Sequence, residues 1–146
     1  MKVKDLEFNN LDHTVHETSY GKIINLKESY EFQTPSIVIN SIDEDSLNVH
    51  ILPNEASKIF FNKMNLFEEK LIDKFKYPVD ALFNGINFKV KLSKTKKVYL
   101  NGELFNFYHL KPLMKIICLV SIDKLWISQY SVLHYNLKVN EIVVKS

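Results

Sequence analysis

Lysines and flat rings, rather than acids, bases and nucleophiles, are the side chains with the clearest chemical purpose in this sequence. Lys89, Lys91, Lys94, Lys96 and Lys97 follow one another within 81–102, a stretch that contains no carboxylate, and Tyr99 closes the run. Trp126, the only tryptophan, and Tyr130 lie further along. Ammonium groups track phosphates, and aromatic faces accept stacked bases at about 1–3 kcal/mol each. Lys89, Lys91, Lys94, Lys96, Lys97, Tyr99, Trp126 and Tyr130 are therefore the candidate nucleic-acid-binding residues. The same features have a plain structural use: lysines keep an exposed sheet edge from pairing with neighbours, and a lone tryptophan, taken by itself, more often fills a core.

The charge is unevenly spread. Residues 1–80 carry 9 lysines and 14 acids (−5) and residues 81–146 carry 10 lysines and 3 acids (+7), which sum to the net +2 of the chain. The second part sets up a positive field that the average conceals. All 19 basic residues are lysine. Lysine is a mobile point charge without the guanidinium fork that reads guanine edges, so loose phosphate attraction is favoured over base-specific duplex reading. An AT-rich genome would leave the same arginine-free composition, and that explanation stands beside the functional one.

Catalytic constellations are missing. The glycines, Gly21, Gly85 and Gly102, are too far apart to form a phosphate-cradling loop. His13 and His16, with Asp12 and Glu17, have a spacing that could touch a metal from one helical turn, but no other ligand cluster accompanies them, and a solvated segment is the expectation. His50, His109 and His134 fall at ordinary strand or loop positions, and nothing resembles a nucleophile elbow. Glu68 and Glu69 are expected on the exposed side of a helix, and Asp43, Glu44 and Asp45 in a solvated turn. A metal-dependent nuclease would need carboxylates gathered from distant segments, such as Asp80, Glu103 and Asp123. No cofactor, no metal and no catalysis are expected.

These candidates must be positioned by one domain of 146 residues, 46% apolar, enough to bury a core without staples. The lone Cys118 sits in the apolar run 116–120, where a reduced, buried and inert thiol is expected. Met1-Lys2-Val3-Lys4-Asp5-Leu6-Glu7 lacks the apolar stretch of a signal peptide or membrane span, so an intracellular protein is expected. Residues 1–17 read as a polar arm and 18–146 as the domain. Segments 22–27 and 30–39 are strand-like, although Pro35 prevents continuous pairing, and Leu47, Val49 and Ile51 alternate with polar residues. Phe60, Met64, Phe67, Leu71 and Phe75 then recur every three or four residues, which predicts a helix over about 55–76 capped by Asn54. Strands resume with Phe88, Val90 and Leu92 alternating against lysines. Lys94, Lys96 and Lys97 are expected in a connecting turn, and Asn101-Gly102 predicts a hairpin returning over 103–107. The segment 115–127, apolar on both faces, reads as a central strand, and 133–139 alternates again. Three strands, one helix between the third and fourth, then four or more strands give a mainly β, α+β chain with the layout of an OB-fold-like antiparallel barrel.

Three stretches deepen that reading. Phe32-Gln33-Thr34-Pro35, the helix segment from Lys58-Ile59-Phe60-Phe61 to Leu71-Ile72-Asp73 followed by Phe88-Lys89-Val90-Lys91-Leu92, and the apolar run 116–127 ending at Trp126 before Tyr135 and 137–139 stand in a characteristic order. In this the chain resembles the OB-fold single-stranded DNA-binding proteins of large nucleocytoplasmic DNA viruses and their phage-like relatives over about residues 20–144. It departs from them where the family has a glycine between its tryptophan and the last strand, since Gln129-Tyr130-Ser131-Val132 stands there. The resemblance implies a non-catalytic protein that coats single-stranded DNA, with RNA as an alternative ligand, during viral replication, recombination or repair. The residues leave open whether the protein acts as a monomer or as a homo-oligomer along the DNA, and no membrane partner is expected. The alternative from another class is a small β-rich viral structural or host-interaction protein acting through protein–protein contacts.

Overall fold

An apolar segment of this length suits a central strand, and β7 (Lys115–Ser128) is paired on both edges, with Ile116, Cys118 and Val120 buried on one face and Ile117 and Leu119 half-buried on the other. In the computed structural model, which describes residues 2–145, this strand is the spine of the molecule. β1 (His13–Thr18), β2 (Gly21–Gln33), β3 (Ile37–Ile42) and β4 (Ser46–Ile51) precede helix α1 (Glu55–Phe75). After the helix come β5 (Asn87–Leu100) and β6 (Glu103–Leu104), then β7, β8 (Leu133–Tyr135) and β9 (Lys138–Lys145). Strand makes up 51% of the chain, so the class is mainly β with one long helix.

Five strands close on themselves. β3 pairs with β4, β4 with β5, β5 in parallel with β9, β9 with β7, and β7 back with β3 through Ile37 opposite Ile116 and Val38 opposite Lys115. Closure removes the free edges from the barrel itself. The ring is OB-like, as its strand order predicts, but the helix joins β4 to β5 and not the third strand to the fourth. The miscount comes from the N-terminal side. Residues 13–17, expected in a polar arm, form most of β1 against β2, and the apolar stretch around Pro35 is divided between β2 and β3.

The division at Pro35 has a specific chemistry. Proline has no N–H to give to a ladder, and Thr34 bridges the gap. Its amide donates to the Cys118 carbonyl at 2.8 Å, its hydroxyl oxygen accepts from the Cys118 amide at 3.0 Å, and the hydroxyl donates to the Pro35 carbonyl at 2.9 Å. Thr34 is buried, so each of these groups would otherwise be orphaned away from water.

The arm is also not detached. Leu6 and Phe8 belong to the core, with Phe8 4.3 Å from Phe67 of the helix, and Lys63 donates to the Leu6 carbonyl at 2.7 Å. The helix starts where Asn54 accepts from the Ser57 amide at 2.9 Å and stops at Lys76 in the left-handed conformation, φ 61°. Phe60, Met64, Phe67 and Leu71 are fully buried, as their spacing predicts, contributing about 1.5–3 kcal/mol each. Phe60 meets Phe88 of β5 at 5.5 Å and Phe67 meets Tyr135 of β8 at 5.2 Å, so one helical face seals both halves of the sheet.

Glu68 was expected in solvent and is buried instead. Its Oε2 accepts from the Tyr135 hydroxyl at 2.5 Å and from the Leu82 amide at 3.0 Å, which satisfies a carboxylate inside the fold. Glu69 is exposed. Two strand boundaries also differ from expectation. The return strand after Asn101-Gly102, both at positive φ, is only Glu103–Leu104, and Lys94, Lys96 and Lys97 lie within β5 instead of in a turn.

Candidate nucleic-acid interface

Inward positions of β5, β7 and β9 fill the barrel, which leaves alternate residues for its outer wall. On β5 these are Lys89 and Lys91, both exposed, while Phe88, Val90 and Leu92 face inward. Lys89 stands opposite Asn48 of β4, and Lys91 stands opposite Ser46 on one side and Lys138 of β9 on the other. Lys91 and Lys138 then share a groove of about 390 Å³ with Asp123, Lys124, Trp126 and Asn136. Both an indole and ammonium groups thus line one concavity.

Trp126 reaches this groove because Leu125 and Ile127 are buried on either side of it, which turns the indole outward. It is half-buried. Its cross-strand neighbour on β8 is His134, whose ring lies 5.3 Å away with planes 12° apart, and on β2 it is Ile23, itself opposite His16 of β1. Asp80 holds His134 through Nδ1 at 3.2 Å. The indole is therefore fixed by stacking while it also lines the groove. Among the described residues His134–Asp80 is the only ion pair within 4.0 Å, so no lysine of the groove is neutralised by a contacting carboxylate.

The remaining candidates lie elsewhere. Between Leu92, opposite Val139, and Lys97, opposite Glu141, β5 carries extra residues that bulge away from β9. Lys94 and Lys96 line a separate groove beside Glu44 and Asp45, and the Lys96 ammonium sits 4.6 Å over the Phe107 ring. Lys97 stands opposite Glu141, and Tyr99 opposite Val143 and Leu104, away from Trp126. Tyr130 is 79% exposed in the turn between β7 and β8. The eight expected residues thus divide. Lys89, Lys91 and Trp126 lie on or beside one groove, Lys94 and Lys96 line another, Lys97 and Tyr99 occupy a different stretch of wall, and Tyr130 caps a hairpin.

Asp123, Lys124, Asn136 and Lys138 line the groove and His134 stacks on its indole, and none of them was among the binding candidates. A signal for most of them was present. His134, Asn136 and Lys138 are the polar members of an alternation whose apolar members, Leu133, Tyr135, Leu137 and Val139, are buried.

Several other chemistry-bearing residues make contacts within the fold. His13 faces Phe75 at 4.8 Å, and its Nδ1 lies 2.8 Å from the Leu11 carbonyl. His50 Nδ1 lies 2.6 Å from Asn40 Oδ1. Cys118 is buried, and burial pushes its thiol up to about 12. Burial also raises the Tyr135 hydroxyl well above its ordinary value, and the neighbouring Glu68 carboxylate adds to that shift. No described helix is long and apolar enough to cross a membrane. Neither protein-family models nor curated proteins return a match to the chain.

Proposed function

We propose that this chain is a non-catalytic single-stranded DNA-binding protein whose contacts are tolerant of sequence. The carrying observation is the groove in which Trp126 stands among Lys91, Lys124 and Lys138, and although Asp123 shares the lining, no described carboxylate lies within 4.0 Å of these ammonium groups. A base stacks on the indole while flanking phosphates meet ammonium groups, and neither contact depends on base identity. Lys89 and Asn48 extend the polar track along the outer face of β4 and β5. The OB-like barrel is compatible with this use, and the resemblance to viral and phage-like proteins points to unwound DNA during replication, recombination or repair.

Because Trp126 is the only tryptophan, intrinsic fluorescence reports the groove directly. Titration with oligothymidine should quench the emission with micromolar or tighter affinity, and log affinity should fall linearly with log salt at a slope of about −2 to −4. Duplex DNA should bind more weakly, and an RNA oligonucleotide decides the preferred sugar. Unchanged fluorescence, or binding indifferent to salt, would remove the proposal.

A further inference from the structure

We infer that the outer wall formed by β5, β6, β7 and β9 is an interface that takes a second copy of this chain. Side chains directly opposite one another on neighbouring strands share a face, and the register lines up four apolar residues in one row. Leu104 of β6 faces Tyr99 of β5, Tyr99 faces Val143 of β9, and Val143 faces Ile117 of β7. The neighbours of Ile117 in sequence, Ile116 and Cys118, are buried in the barrel, which fixes the row on the outside. Leu104 is 76% exposed and Val143 40% exposed. A continuous apolar row across four strands is unlike singly scattered surface residues and marks a contact surface.

The charges beside the row select the occupant. Two residues along the strands, Lys97 and Glu141 stand opposite each other on β5 and β9. A two-fold axis parallel to the strands and midway between β5 and β9 exchanges these positions between subunits. Lys97 then meets the second copy's Glu141 and Glu141 meets the second copy's Lys97, while Tyr99 packs on Val143 and Leu104 on Ile117. At the apolar row and at Lys97–Glu141 the surface is complementary to itself, the requirement for an isologous contact, while the exposed Lys115 and Lys145, opposite each other on the other side of the row, form its rim. This role removes Tyr99 from the set of base-stacking residues. The inference does not depend on the groove at Trp126.

The test is sedimentation or light scattering on the full chain at ~100 µM, where even a modest interface is occupied. The wild type should be a dimer, and Val143→Glu should raise the dissociation constant at least about tenfold by placing a charge in the apolar row. Lys97→Glu and Glu141→Lys should each be monomeric with an unchanged circular dichroism spectrum. Mixed one to one, these two variants should form a heterodimer, since every cross-subunit contact then joins opposite charges while each chain keeps its own like-charged pair. A monomeric wild type, single variants that still dimerise, or a mixture that stays monomeric would each overturn the inference. Oligothymidine quenching of Trp126 measured on the monomeric variants reads the groove separately, so failure of one proposal is distinguishable from failure of the other.

Discussion

The Trp126 indole and the His134 imidazole lie in nearly parallel planes, 12° apart at 5.3 Å, on adjacent strands of the outer wall. The pair is a preformed platform, because Asp80 anchors the imidazole at 3.2 Å and the strand register anchors the indole. Trp126→Ala should therefore weaken oligothymidine binding by about 1–3 kcal/mol. Its melting temperature should stay close to wild type, since the ring is only half-buried and its neighbours Leu125 and Ile127 hold the core. Calorimetric melting alongside anisotropy with a labelled oligonucleotide checks both. A collapsed melting transition would make Trp126 a core residue.

Lys91 and Lys138 stand opposite each other on β5 and β9 and line the groove together. Each phosphate they neutralise contributes about −0.7 to the salt slope for a single strand. Lys91→Ala and Lys138→Ala should each flatten that slope by roughly this amount, whereas Lys94→Ala, in the separate groove beside Glu44 and Asp45, should leave it unchanged. Affinities measured from 50 to ~300 mM salt distinguish the two classes.

Thr34→Val should cost about 1–3 kcal/mol of stability despite nearly equal volume. It removes the acceptor of the Cys118 amide and the donor to the Pro35 carbonyl at a buried position. Urea denaturation measures the loss, and an unchanged midpoint would show that water enters the junction.

Stability should decline on the alkaline side. In the unfolded chain Cys118 ionises near its ordinary value of 9.0, whereas burial holds the folded thiol protonated up to about 12. The contribution of the neutral thiol is complete below pH 9 and is lost as pH rises through that window, at up to about 1.4 kcal/mol per pH unit. Tyr135, raised in the folded state by burial, steepens the decline above its ordinary value of 10.0. Cys118→Ala should lose less stability than wild type between pH 9 and pH 11 when urea midpoints are compared.

The parts of the fold written in local periodicity were legible. The spacing from Phe60 to Leu71 gave the helix face, the Asn54 cap gave its start, and the doubly apolar run around Cys118 gave the central strand. β1 was not legible, because residues 13–18 have no buried face; they are strand by backbone pairing with β2 at an exposed edge. Glu68 was misplaced because its partner Tyr135 lies 67 residues away in sequence. The lysine run suggested a single patch, but local spacing cannot reveal the bulge in β5 that sends Lys94 and Lys96 to another groove. Lys138 reaches the groove only through the pairing of β9 with β5 and β7, whereas Lys124 stands two residues from Trp126 on the same strand and was within reach of the strand period.

β7 supplies Ile116 and Cys118 to the closed ring and Trp126 to the outer platform, pairing along its length with β2, β3, β8 and β9. One continuous backbone therefore belongs to both scaffold and groove. Amide hydrogens of β7 around Trp126 should exchange about as slowly as those around Cys118 in a hydrogen-exchange measurement, since both are paired on two sides. Most binding loops are drawn from the loosest part of a molecule; the groove proposed here is built instead on the strand with the most partners.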